Sequence, residues 1–176
     1  LIAASEGTLD LPYDIEYNEI VDRLGTLIKI PTISHPNEED MDMEQFDLLV
    51  KTVEKMFPLV FSKCEYVHTP ERAIFLKLKG TSSEKPSVLM AHYDVVPVTN
   101  EWKHDPFLGE VVDGSIYGRG SVDTKCTMTC ALTALELALK KGYIPKNDLY
   151  LCFGSNEEVY GNSQVKIIEE FERLGI

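Results

Sequence analysis

The chain has 176 residues, 44% hydrophobic and 26% charged, with a formal net charge of -12. That length suits one domain with a real core, and the acidic balance argues against a nucleic-acid partner, whose phosphates call for clustered Lys and Arg. No stretch approaches the roughly 18 apolar residues of a bilayer span, so no membrane partner is expected.

Leu1 to Ser5 show neither the basic n-region nor the apolar segment of a signal peptide. The chain opens on Leu1 rather than Met, as a processed or cut chain does, which leaves room for a removed leader. The four cysteines, Cys64, Cys126, Cys130 and Cys152, form no CxxC pair and no disulfide-like spacing. Cys126 and Cys130 lie four apart on an expected helix and read as small core residues. Reduced thiols are expected, which favours an intracellular, cytoplasmic setting.

In chain order, Ile15–Ile30 carries apolar residues at helical spacing and stops before Pro31. A polar loop over Ser34–Asp40 follows. Met43–Phe57 reads as a second amphipathic helix, with Phe46, Leu49, Val50, Val53 and Phe57 on one side and Pro58 closing it. Val60–His68 and Ala73–Lys79 read as strands, the second alternating Ile74, Leu76 and Leu78 against Phe75, Lys77 and Lys79. After a loop over Thr81–Pro86 comes the run Ser87–Pro97, whose apolar start suits a strand buried on both faces. Asp113-Gly114 between short β-like runs predicts a hairpin over Glu110–Tyr117. A Leu/Ala stripe then predicts a helix from the Asp123 region to Lys141, with Gly142 as its C′ residue. Leu149–Phe153 reads as a strand and Gly161–Leu174 as a last helix. Buried strands alternating with helices predict a layered α/β domain with a mostly parallel sheet.

Chemistry gathers at three points. His92 and Asp94 end one strand and, two apart, share a face. An imidazole that ligates metal through one nitrogen while a carboxylate holds the other has this arrangement. Asp123 precedes a helix, and Glu157 and Glu158 end the next strand. Open α/β sheets bind ligands outside the carboxyl ends of their strands, so all three clusters are expected at one rim. One imidazole with several carboxylates suits a divalent ion, zinc first, with manganese or cobalt as alternatives. Each piece also has an ordinary reading. Asp123 suits a helix N-cap, Glu157-Glu158 a solvated pair, and Arg119 a tie for the Gly118-Arg119-Gly120 turn. Trp102 and Phe107 suit core or rim packing better than a substrate cage. His35, His68 and His104 lie in polar surroundings and take no role.

The ordered set outweighs those readings. His92-Tyr93-Asp94-Val95-Val96-Pro97, Trp102 with Asp105-Pro106-Phe107 and Gly109, Asp113–Ser121, Asp123-Thr124-Lys125 and Glu157-Glu158 with Gly161 follow one another through the chain from residue 88. This pattern resembles the di-zinc metallopeptidase and amidohydrolase family of carboxypeptidase S, glutamate carboxypeptidase, aminoacylase and succinyl-diaminopimelate desuccinylase. Its flavour is closest to the carboxypeptidase S-like branch.

The resemblance implies two zinc ions, with His92 on one, Glu158 on the other and Asp123 bridging both. It makes Asp94 the residue that orients His92, and Glu157 the general base acting on a metal-bridging water. It also implies a cis peptide between Asp123 and Thr124. The implied substrate is a small peptide or an N-acyl amino acid. Two departures stand out. Asn156 replaces the family's usual Asp, a position that is neither ligand nor base. The resemblance also reads residues 1–176 as the N-terminal portion of a catalytic domain. The remaining two metal ligands, the carboxylate clamp and the lid domain that carries a homodimer contact would then lie beyond Ile176. On that reading the chain alone is expected to be catalytically silent. A non-catalytic fragment or degenerate relative acting as a binding module is the competing expectation.

Overall fold

The computed structural model describes residues 17–69 and 71–176. The reading of Leu1 to Ser5 and the first two residues of the expected Ile15–Ile30 helix lie outside them. In chain order come helix α1 (Tyr17–Ile28), α2 (Met43–Met56), α3 (Pro58–Lys63), strands β1 (Glu65–His68), β2 (Ile74–Leu78) and β3 (Ser82–His92). The hairpin β4 (Glu110–Val112) and β5 (Ser115–Tyr117), then α4 (Lys125–Lys140), β6 (Asn147–Gly154) and α5 (Ser163–Leu174) complete it.

The main sheet has the order β1-β2-β6-β3, and its strands alternate as a pleated sheet must. Ile74, Leu76, Leu151 and Phe153 face a core shared with Leu27 of α1, Phe46 and Leu49 of α2, and Met128 and Leu132 of α4. Phe75, Tyr150 and Cys152 face the other way, onto Ile167 and Phe171 of α5. The result is the expected α/β/α layering. Fully burying one such side chain stabilises the fold by about 1.5–3 kcal/mol, so the first and larger core dominates.

Within the main sheet, parallel pairing, expected for most of it, is found between β3 and β6; β1/β2 and β2/β6 are antiparallel. The sheet is therefore mixed. A short turn joins β1 to β2 and leaves no room for a crossover, whereas α4 lies between β3 and β6 and permits one. The β3/β6 register matters most for the site, because it sets His92 opposite Gly154 and so aligns the two strand ends.

Four local expectations change. Val60–Lys63 is helical, not strand: Pro58 opens α3 at its first turn instead of only closing α2. Strand β3 starts at Ser82, pairing with Asn147 before an irregularity that ends at Ser87. It is also an edge strand among the described residues, so Val88, Leu89 and Met90 are exposed instead of buried on both faces. Cys130 is exposed and Cys126 half-buried, because both lie on a flank of α4 away from its Leu132/Leu135 stripe. Gly142 does take the left-handed conformation expected after a helix, at φ 76°.

The start of α3 depends on a contact no periodicity reveals. Glu136 of α4, only 2% exposed, accepts from the backbone N–H groups of Leu59 at 3.1 Å and Val60 at 2.9 Å. These are donors that a helix N-terminus leaves without partners. Glu136→Ala is expected to lower stability by about 2–4 kcal/mol in urea unfolding, and Glu136→Gln by less, because it keeps one acceptor oxygen.

Candidate metal centre

The aligned ends of β3 and β6 deliver the site. The Tyr93 N–H donates to Gly154 O at 3.0 Å, continuing the ladder one residue beyond His92. On the other side, Val95 N–H donates to Thr32 O at 2.9 Å and Ser34 N–H to Val95 O at 3.0 Å, which ties the loop after α1 to the same rim. His92 is thereby held on both flanks before its side chain does anything.

Ligating atoms of His92, Asp123 and Glu158 all lie within 4.8 Å of one another. They come from the end of β3, the residue two before α4, and the turn after β6. His92 Nε2 is 3.0 Å from Asp123 Oδ1 and 3.5 Å from Glu157 Oε2. The three separate chain segments picked out in the sequence thus meet at one point, and all five residues are in it. Asp123 does not act as a side-chain N-cap; the cap position of α4 is Thr124.

Asp94 is fully buried and holds the cluster from behind. Its Oδ1 is 3.2 Å from His92 Nδ1, and its backbone carbonyl is 3.1 Å from the same nitrogen. The same carboxylate accepts from the Glu157 N–H at 3.0 Å and the Glu158 N–H at 3.1 Å. One acid therefore fixes the imidazole and the loop bearing both glutamates. Sequence spacing revealed the first of these contacts but not the second, which spans more than sixty residues.

The electrostatics are those of a site rich in negative charge. Burial alone would lower the His92 pKa, but the Asp94 hydrogen bond and the charges of Asp94 and Glu157 raise it to about 9. Burial and then the neighbouring Asp123, Asp94 and Glu157 carboxylates push Glu158 upward, with His92 opposing. A divalent cation relieves both effects, since it replaces the imidazole proton and neutralises the clustered carboxylates. The donor set of one imidazole and surrounding carboxylates fits such an ion.

Two further residues support the rim. The Thr124 hydroxyl accepts from His92 N–H at 2.9 Å and donates to His92 O at 2.8 Å, bracketing the imidazole-bearing residue. The Asp123–Thr124 peptide is cis, as the resemblance implied. Lys125 is fully buried, and its ammonium donates to Leu27 O at 2.9 Å and Ile30 O at 2.7 Å at the end of α1. Burial pulls its pKa down to about 7, with Asp94 opposing. The helix C-terminal carbonyls suit a cation, and only the long Lys stem reaches them. A lysine flanked by Thr124 and Cys126 gave no sign of that role. Trp102 packs at the rim, as expected, with the Arg119 guanidinium 4.9 Å from its ring centroid. His104, given no role from sequence, pairs with Glu110 at 2.8 Å and stacks on Tyr117.

Comparison with known proteins places this geometry. The profile of peptidase family M20/M25/M40 matches residues 88–176. An N-fatty-acyl-amino acid synthase/hydrolase of Xenopus tropicalis is 35% identical over 166 residues, 92% of this chain and 32% of that protein. The probable carboxypeptidase S-like 1 of Dictyostelium discoideum is 33% identical over 138 residues, 76% of this chain and 28% of its own length. Among solved structures, the dipeptidase Dug1p of Saccharomyces cerevisiae superposes with a TM-score of 0.66 at 19% identity, over 88% of this chain and 35% of that one. A Bacillus subtilis protein described as a dinuclear metal binding peptidase gives 0.55 at 16% identity, over 88% and 40%. The chain spans about a third of the length of the curated relatives it matches. With the motifs, the mixed sheet and the converging rim all in agreement, the chain belongs to peptidase family M20/M25/M40.

Proposed function

We propose that the protein is a zinc-dependent hydrolase that cleaves a peptide or N-acyl amide bond next to an amino acid. The observation that carries this reading is the meeting of His92, Asp123 and Glu158 within 4.8 Å, with the Glu157 carboxylate beside them. The relatives' names, an N-fatty-acyl-amino acid synthase/hydrolase and a probable carboxypeptidase, fit the same bond class. The description of the Bacillus subtilis protein as dinuclear fits a centre of two ions.

His92 and Asp123 would hold one ion, and Asp123 and Glu158 the other. When bound, zinc polarises the scissile carbonyl and acidifies a water. The chain's own residues do the rest. Glu157, whose exposed carboxylate lies 3.5 Å from His92 Nε2 while Asp94 holds its N–H, would take a proton from that water and return it to the leaving nitrogen. Asp94 keeps His92 Nδ1 occupied, so that Nε2 faces the ion. Thr124 and Lys125 keep Asp123 in place from the start of α4.

Three measurements bear on this. In the complete, zinc-loaded protein, Glu157→Gln is expected to reduce hydrolysis of N-acyl amino acids and dipeptides by about 10²–10⁴-fold with metal content unchanged. Activity that survives both this change and metal stripping would overturn the proposal. Asp94→Asn is expected to weaken zinc binding by about 10–100-fold in competition with a chromophoric chelator. In the metal-free chain His92 keeps its proton up to about 9, so zinc must displace it at neutral pH. Apparent affinity is therefore expected to rise by about tenfold per pH unit between roughly 6 and 8 and to level off above 9. Calorimetry in buffers of different ionisation enthalpy reads the released proton directly.

A further inference from the structure

The four cysteine thiols are free, and two of them share one face of α4. Cys126 and Cys130 stand four residues apart on that helix, a spacing that sets their Cβ atoms about 5–6 Å from each other on the same side. Their flank lies away from the core: Thr127, Cys130 and Ala134 are exposed and Cys126 is half-buried. The two thiols act on each other, since burial and then the neighbouring Cys126 raise the Cys130 pKa. Cys126 Sγ is held in place, donating to the Val122 carbonyl at 3.1 Å with Thr127 Oγ1 at 3.9 Å. The other two thiols have different settings. Cys152 lies inside β6 and Cys64 at the end of α3, and burial pushes both up to about 12.

The spacing decides what the pair can hold. A disulfide requires Cβ atoms about 3.5–4.5 Å apart, so joining the two sulfurs directly would distort a turn of α4 that carries the buried Met128 and Thr129. An ion in line between two sulfurs, with metal–sulfur bonds of about 2.3 Å, spans about 4.6 Å and needs no such change. Two donors on an open flank do not complete the tetrahedral shell that zinc takes in structural sites. Thiolates also select copper(I), a soft ion that two sulfurs can satisfy.

We propose that Cys126 and Cys130 form a second metal site, a pair of thiolates on the face of α4 that binds one copper(I) ion. Binding breaks two S–H bonds and forms two Cu–S bonds. Two protons leave to solvent, the copper stays monovalent and no electron moves. The Cys126 hydrogen bond to Val122 is given up in the exchange. The carboxylate-rich centre at the rim is a poor match for so soft an ion, so one chain sorts two metals by the softness of its donors. This site stands apart from the hydrolase reading and does not depend on it.

The test is an anaerobic titration of the complete, zinc-loaded protein with copper(I) against a chromophoric copper(I) chelator. One copper per chain is expected, with near-ultraviolet thiolate-to-copper absorption and the zinc retained. Cys126→Ser and Cys130→Ser are each expected to weaken binding by at least about 100-fold, the upper end of what losing a ligand's supporting partner costs. Cys64→Ser is expected to leave it within about twofold. Apparent affinity is expected to rise with pH, because protons are released. Binding in either Cys126→Ser or Cys130→Ser as tight as in the unaltered protein, no copper taken from the chelator, or copper taken only as zinc is lost overturns the site. If a serine variant fails to fold, X-ray absorption at the copper edge of the unaltered protein decides. Two sulfur neighbours support the pair, and nitrogen or oxygen neighbours overturn it.

Discussion

The structure depends on the buried carboxylate of Asp94. It joins the end of β3 to the turn after β6 by accepting from two consecutive backbone N–H groups while facing the imidazole of His92. An ion so placed is held away from water, and its hydrogen bonds to N–H donors are of the charge-assisted kind. The desolvation that would otherwise penalise it is offset by three partners at 3.0–3.2 Å. Because those partners are the backbone of Glu157 and Glu158, the geometry of the acids is set through the main chain and not through their own mobile side chains. Of the two, Glu157 is exposed and Glu158 half-buried.

A second constraint runs through Lys125. Its ammonium closes the C-terminal end of α1 at the moment the chain leaves the Asp123–Thr124 peptide and enters α4. The loop after α1 is also fastened to Val95. The rim is therefore assembled from α1, β3, α4 and β6 together, and no single element could hold it. This is the usual logic of an α/β site, in which the sheet aligns strand ends and the loops supply the chemistry.

Much of this was legible from residues alone. His92 and Asp94 two apart at a strand end, Asp123 ahead of a helix, and Glu157-Glu158 after a strand all report local geometry, and strands and helices convert that geometry into a shared rim. The contacts that were not legible are the long-range ones. Glu136 capping α3, Asp94 accepting from Glu157 and Glu158, and Lys125 reaching back to Leu27 each join residues more than sixty positions apart. No periodicity records such pairs. The strand expected over Val60–His68 is strand only from Glu65, for the same reason: its first part became helix once Pro58 and a distant carboxylate supplied a start. The mostly parallel sheet failed because connection length, not apolar content, decides strand direction.

The outer edge of β3 has a practical consequence. Val88, Leu89 and Met90 stand 40%, 45% and 55% exposed on a strand paired along one side only among the described residues. Such a border is a template on which other chains can add in register. Lys85 and Pro86 guard its beginning, for a charge and a missing N–H both discourage intermolecular ladders there. No comparable guard stands between Ser87 and Ala91, so this short run is where self-association of concentrated samples would start.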